Sequence, residues 1–279
     1  MNCISVNGKL QNAASPVFMV DNKGYRYGDG VFETMKFFKG KIILSQFHFE
    51  RLFNSLAALK IQVPVLLTPE KLEKEIVQLC NKNKCTELAR IRLSFCRGNG
   101  GLYDSNSAVQ YLIECWPLQP QINALNQNGL VIGSYPHAKK SCDQFSNIKS
   151  ANFLPYTMAA LFAKENKWND CLVLNEFGNI ADSTIANVFI VKKDTVMTPH
   201  LNQGCINGVM RKYLIASLQN TPYKVLEQEI TLADIENADE VFLTNAIYGI
   251  KWVRQFEDTI YVNDITHAIY QSHIKTFFI

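Results

Sequence analysis

The chain has 279 residues, of which 47% are hydrophobic, 11% aromatic and 19% charged. That apolar share fills a substantial core and excludes a disordered chain, and the length asks for two α/β units rather than one. Lys+Arg 28 against Asp+Glu 25 leaves only +3 with no basic run, which excludes a polyanion binder and with it a nucleic-acid partner.

Asn7-Gly8 stands between two strand-like runs in residues 3–10 and signals a hairpin, because both residues tolerate φ > 0. A second hairpin is expected over 32–44, turning at Lys39-Gly40. Ser45 is placed to cap a helix over 46–60, where Phe49, Leu52, Phe53, Leu56 and Leu59 or Lys60 form one stripe. Thr68-Pro69-Glu70 opens another helix, to about residue 82, with a cap, a proline in the first turn and an acid near the positive end. Apolar strands follow at 89–98 and 108–117.

The stretch 117–128 holds two prolines and no charge, so residues 119–127 are the expected linker. They divide a smaller N-terminal α/β domain, 1–118, from a larger C-terminal one, 128–279. In the latter the pattern predicts a strand at 129–135, a helix around 152–166, a strand at 170–175 and a turn over 176–179. A strand at 186–193, a helix opening near Gly208, strands at 222–230 and 240–245 and a last helix over 264–277 complete it.

No apolar run approaches the roughly 18 residues of a membrane span. The opening MNCISVNGKLQ lacks the charged and apolar regions of a secretory signal, so a cytoplasmic protein with no membrane partner is expected. The eight cysteines are scattered with no CxxC pair, and the five histidines form no HxxxH or HxH. They read as reduced core thiols and isolated imidazoles, with no metal site expected.

Six segments carry the chemistry, in this order: YGDGVFET (27–34), FHFERL (47–52), KSANFL (149–154), GNIADSTIANVF (178–189), GCINGVMR (204–211) and DEVFLTNAIYGIKWV (239–253). Together they resemble the class IV aminotransferases, the fold-type IV family of pyridoxal phosphate enzymes. That family includes branched-chain and D-amino-acid aminotransferases and 4-amino-4-deoxychorismate lyase. The resemblance covers nearly the whole chain and implies two mixed α/β domains with pyridoxal 5'-phosphate in the cleft between them. It also implies a homodimer in which loops of one subunit complete the other's site.

By this resemblance Lys149 is the lysine that holds the cofactor as a Schiff base and then moves protons; taken alone it reads as a solvated loop lysine beside Lys139 and Lys140. A lysine in that role must be neutral near pH 7, which desolvation and a cationic cofactor favour. Arg51 matches the family's phosphate arginine, the plain alternative being a surface arginine on an amphipathic helix. His48, one turn earlier, reads as a core histidine. The backbone N–H groups of Val209 and Met210, after Gly208, are implied phosphate donors at a helix start. Thr244 and Asn245 are implied further contacts, with Ala246 where branched-chain enzymes often carry a threonine. Asp182 stands where most members have glutamate to hold the ring nitrogen, one methylene shorter, with Asn187 as its structural neighbour.

Substrate markers conflict. Phe32 replaces the tyrosine of the D-amino-acid enzymes, Leu154 the tyrosine of branched-chain enzymes, and Leu102 an arginine of the lyases, whereas Asn152 in KSAN is similar to the D-amino-acid and lyase groups. Arg97 either replaces the lost carboxylate anchor or pairs with an acid at the domain edge, and Tyr103 and Tyr25 are pocket or core residues. Phe32, Arg97 and Tyr103 are thus the candidate substrate residues. The expected function is transfer of an amino group from a hydrophobic or branched-chain amino acid to a 2-keto acid. The alternatives are a lyase releasing pyruvate and 4-aminobenzoate from aminodeoxychorismate, and an inactive cofactor-free paralogue with a binding role.

Overall fold

The computed structural model describes residues 1–104 and 108–278. By backbone packing the chain divides into two units: Met1–Pro120 with Ile148–Asn152, and Gln121–Asn147 with everything from Phe153 onward.

The first unit opens on the hairpin of β1 (Cys3–Val6) and β2 (Lys9–Asn12), with Asn7 and Gly8 at φ 49° and 79°. A short helix α1 (Lys23–Tyr27) leads to β3 (Gly30–Phe38), which turns at Lys39-Gly40 into β4 (Lys41–Ile42). Helices α2 (Ser45–Ala58) and α3 (Pro69–Lys82) precede β5 (Leu88–Cys96) and β6 (Gln110–Pro117). Thr68 caps α3 as its sequence predicts, but Ser45 does not cap α2. Leu44 takes the left-handed conformation (φ 56°) and brings Ser45 into the first helical turn.

The strands form one sheet in the order β2-β1-β6-β5-β3-β4. Alternation along β3 sends Val31, Met35 and Phe37 into a core with Leu52, Leu56, Leu72, Ile76 and Leu79 of the two helices. Phe32, Thr34 and Lys36 therefore point to the other face, in register with Ser94, Arg92 and Arg90 of β5.

In the second unit β7 (Leu130–Lys140), α4 (Leu154–Glu165), β8 (Asp170–Asn175), β9 (Ile180–Ser183) and β10 (Asn187–Lys192) follow one another. Then come β11 (Thr195–Pro199), α5 (Val209–Leu218), β12 (Lys224–Gln228), α6 (Leu232–Glu236), β13 (Glu240–Asn245), β14 (Gly249–Phe256), β15 (Thr259–Ile260) and α7 (Asp264–Ile269). They build a nine-stranded mixed sheet, β12-β11-β10-β13-β14-β7-β8-β9, with β15 paired to β14. The last helix is not one α-helix over 264–277: after α7 a π-turn (Tyr270–Ile274) widens the backbone, with Ile274 packed over Gly249, and a 3-10 turn ends it.

Two expectations need correction. Residues 120–123 form a 3-10 turn and Asn126 exchanges hydrogen bonds with the Trp252 backbone (2.9 and 3.0 Å), so most of 119–127 packs as part of the second unit instead of linking freely. Lys149, assigned by sequence to the larger C-terminal domain, groups with the first unit. Beyond the two residues paired with β4, the edge of β3 is open, and residues 149–151 satisfy it: Phe32 N donates to Lys149 O (3.0 Å) and Ala151 N to Gly30 O (2.8 Å). No helix among the described residues is long and apolar enough to cross a membrane.

Candidate active site

In the first unit, β3 and α2 bring three ionisable groups together beneath the sheet. Glu33 is 1% exposed; its Oε2 meets His48 Nδ1 at 2.6 Å, and Arg51 grips both oxygens (Nε–Oε1 2.8 Å, Nη2–Oε2 2.6 Å). His48 and Arg51 lie three apart on α2, so one helical face supplies both. Burial alone would raise the Glu33 carboxyl, but the Arg51 charge, with His48, overrides it and holds the pKa at about 2. Burial lowers the His48 pKa below its ordinary 6.5 against the pull of Glu33, so the ring is neutral at pH 7. A neutral ring that donates Nδ1–H to Glu33 leaves Nε2 as a buried acceptor without a partner among the described residues. The arginine matched to the phosphate ligand is thus oriented by a buried carboxylate.

On the opposite face, Phe32 is 6% exposed and two cations stand over its ring: Lys149 Nζ at 4.6 Å and the Arg92 guanidinium at 3.9 Å from the centroid. Arg92 was not singled out by sequence, where it is one of several arginines in an apolar strand. Only the register that sets it across from Thr34, beside Phe32, exposes its place. Its Nε donates to Ser94 Oγ at 3.2 Å, and Glu114 lies at the 4.0 Å limit of pairing.

Arg97 pairs with an acid of its own unit. Nε and Nη2 hold Asp29 (2.6 and 3.3 Å), and Nη2 and Nη1 donate to Leu59 O and Lys60 O, so it clamps a loop to the end of α2. Tyr103 is 95% exposed and Tyr25 79%, so neither is a core residue of the single chain.

In the second unit, Asp182 on β9 is 2% exposed, with its two oxygens unequally engaged by its neighbours. Oδ2 accepts from Tyr156 OH (2.7 Å), Ile206 N (3.0 Å) and Lys140 Nζ (3.1 Å), and Oδ1 accepts from Asn187 Nδ2 (2.9 Å). The other Asn187 amide hydrogen goes to Ile206 O at 2.8 Å, which ties the GCING segment to β10. Gly208 then follows, at the start of α5: a Cβ there would lie 1.8 Å from Asn187 Oδ1, so no larger residue fits. No side chain caps α5, and its first amides, including those of Val209 and Met210, have no partner within the helix.

Thr244 on β13 pairs directly with Asn187 on β10 and so shares its face. It is 1% exposed, and its hydroxyl has no hydrogen-bond partner among the described residues. Asn245, by contrast, is used locally: its Oδ1 accepts from Ile247 N and Tyr248 N, and its Nδ2 donates to Ile185 O. Thr244, Gly208 and the α5 start thus all lie around Asn187.

Each of the two units is a mixed α/β layer of the kind the family comparisons bear on. The class IV amino-transferase family matches residues 30–256, and the chain belongs to it. A Methanocaldococcus jannaschii protein, provisionally named a branched-chain-amino-acid aminotransferase, is 28% identical over 262 residues, covering 93% of this chain and 90% of its own. The aminodeoxychorismate lyase of Bacillus subtilis is 27% identical over 293 residues, 98% of this chain and 94% of its own. Among solved structures, the branched-chain amino acid aminotransferase of Escherichia coli superposes with a TM-score of 0.88 at 20% identity, covering 99% of this chain and 94% of that one. The fold is therefore that of the fold-type IV enzymes.

Because Glu33 ionises at about 2 when folded against an ordinary 4.5, its stabilisation is complete above about pH 4.5 and lost as pH falls toward 2. The unfolding free-energy difference between the wild type and Glu33→Gln should shrink by roughly 2 to 3 kcal/mol between pH 6 and pH 2. Denaturant titrations at both pH values check this, and a difference that stays constant would remove the charge from the account.

Proposed function

We propose that this chain is a pyridoxal 5'-phosphate enzyme that transfers the amino group of a hydrophobic or branched-chain amino acid to a 2-keto acid. The observation that carries this reading is the pair of cations over one buried ring. A substrate carboxylate at Arg92 would lie beside Lys149, with the Phe32 ring as the apolar surface between.

The chain's own residues fit the cofactor. The Thr244 hydroxyl, unpartnered among the described residues, and the Val209 and Met210 amides suit its phosphate, and the missing Cβ of Gly208 leaves room for Asn187 at the same helix start. Arg51, oriented by Glu33, is the phosphate arginine by its match to the family motif. Asp182 Oδ1, with a single protein donor, keeps a lone pair for the ring nitrogen, and Asn187 fixes that oxygen.

When bound, the cofactor supplies an electron sink for the substrate's Cα. Lys149 is the amine that takes the proton from Cα and delivers it to the carbon that receives it. Arg92 holds the carboxylate, so that Cα is presented to this amine and not to solvent. Arg97 is left out of the chemistry, because its donors are all directed to Asp29 and to backbone carbonyls. Asn245 serves the turn after β13. A homodimer belongs to this reading, and Tyr25, Leu102 and Tyr103, exposed on the single chain, offer it apolar surface.

A second reading, expulsion of pyruvate from aminodeoxychorismate, uses the same Lys149 and is supported by similarity to the Bacillus subtilis lyase over nearly the whole of both chains. The visible spectrum of purified protein, recorded with L-leucine, L-glutamate and D-alanine in turn, separates the two. Loss of the lysine-bound cofactor band with L-leucine supports transamination. A band that no donor converts, with pyruvate released from aminodeoxychorismate, moves the assignment to the lyase, and protein that holds no cofactor even after incubation sinks both.

Lys149→Ala should abolish turnover while the phosphate cradle still binds cofactor; full activity in this variant would overturn the assignment. Thr244→Val should weaken cofactor affinity about 5- to 10-fold, the scale of one hydrogen bond. Unchanged affinity by fluorescence titration would place the phosphate elsewhere.

A further inference from the structure

Asp182 has an asymmetric set of partners. Three donors from three different segments converge on Oδ2: Lys140 from the end of β7, Tyr156 from α4 and the backbone of Ile206 before α5. Among the described residues only Asn187 reaches Oδ1. Lys140 lies at a break in the β7–β8 register between Tyr135 and Lys140, and its ammonium is 5.4 Å from the Tyr156 ring centroid. Tyr156 is itself immobilised by stacking on Phe153, with centroids 4.5 Å apart and rings inclined by 29°. Its phenol stays protonated, since burial and then the Asp182 charge push it well above its ordinary 10, so it can only donate to the carboxylate.

An aspartate carboxylate lies one methylene nearer its strand than a glutamate's, and these three donors meet it at that depth. An oxygen with two lone pairs and three donors has none left for a ligand; the oxygen with one donor does. Resting on the pyridoxal phosphate reading above, we propose that Lys140 and Tyr156 are positioning residues that fasten Asp182 by Oδ2, so that Oδ1 is the oxygen presented to the ring nitrogen of the cofactor. Neither residue need touch the cofactor for this. They determine whether the shorter acid can do the work of the longer one.

The test is binding, not turnover. The full chain freed of cofactor is titrated with pyridoxal phosphate and with its analogue in which the ring nitrogen is replaced by carbon, and the ratio of the two dissociation constants is read. The wild type should prefer the nitrogen-containing ring by about tenfold or more, the worth of a charged hydrogen bond. Lys140→Met should bring that ratio to within about threefold of unity, Tyr156→Phe should lower it part of the way, and Lys140→Arg should preserve it.

A merely structural role would weaken both ligands by the same factor and leave the ratio unchanged, which would overturn the proposal. A ratio that rises in Lys140→Met would also overturn it, by showing that the ammonium competes for Asp182. Should Lys140→Met fail to fold, the ratio in Tyr156→Phe decides. If the wild type binds neither ligand, the cofactor reading itself has failed; if it binds both equally, only this proposal has.

Discussion

A strand carries hydrogen-bonding groups on both edges and side chains on both faces, and β3 uses all four. One edge pairs with β5 along its whole length, and the other is closed by β4 at one end and by residues 149–151 at the other. One face buries Glu33 against His48 and Arg51, and the other presents Phe32 to Lys149 and Arg92. The backbone bonds between Phe32 and Lys149 and between Ala151 and Gly30 therefore do more than close a sheet edge. They set the lysine over the ring whose neighbouring arginine is suited to a carboxylate. A one-residue slip would turn Phe32 into the core and Glu33 out of it.

Buried carboxylates recur in both units, and in each case the surrounding donors account for them. Glu33 is held by a guanidinium fork and an imidazole, and Asp182 by an ammonium, a phenol, an amide side chain and a backbone N–H. Removing one partner from such a pair costs roughly 3 to 5 kcal/mol, whereas apolar residues of similar size are often as stable as the pair. Stability alone gives little reason to keep them. What each does is orient a neighbour: Glu33 fixes the Arg51 guanidinium, and Asp182 fixes the backbone just before α5.

Much of the fold could be read from the chain itself. The glycine turns at Asn7-Gly8 and Lys39-Gly40 and the Thr68-Pro69-Glu70 helix start are local signals, and each appears where its residues require it. The strands β9, β11 and β14 are not among the elements the pattern predicts; β9 is four residues long, wholly buried and half polar, and its register with the neighbouring β8 shifts between Val173 and Leu174, so it shows no clean alternation. The cap at Ser45 failed because a left-handed Leu44 shifts the helix start, a conformation that no rule of residue preference selects for leucine.

The candidate site divides along the same line. Sequence by itself determined the family, through six motifs in register, and with it the residue types: a lysine at 149, an acid at 182, an arginine at 51 and a glycine before the helix at 209. Tertiary structure alone decided what those residues face. It turned Arg97 to Asp29, brought Arg92 to Phe32, left the Thr244 hydroxyl without a partner and gathered Lys140 and Tyr156 onto one oxygen of Asp182. The physical reason is that a motif records which groups are present within a few residues. Hydrogen-bond partnership and burial instead depend on strands and helices that meet only after the chain has folded, and on which of several possible donors arrives first at each lone pair.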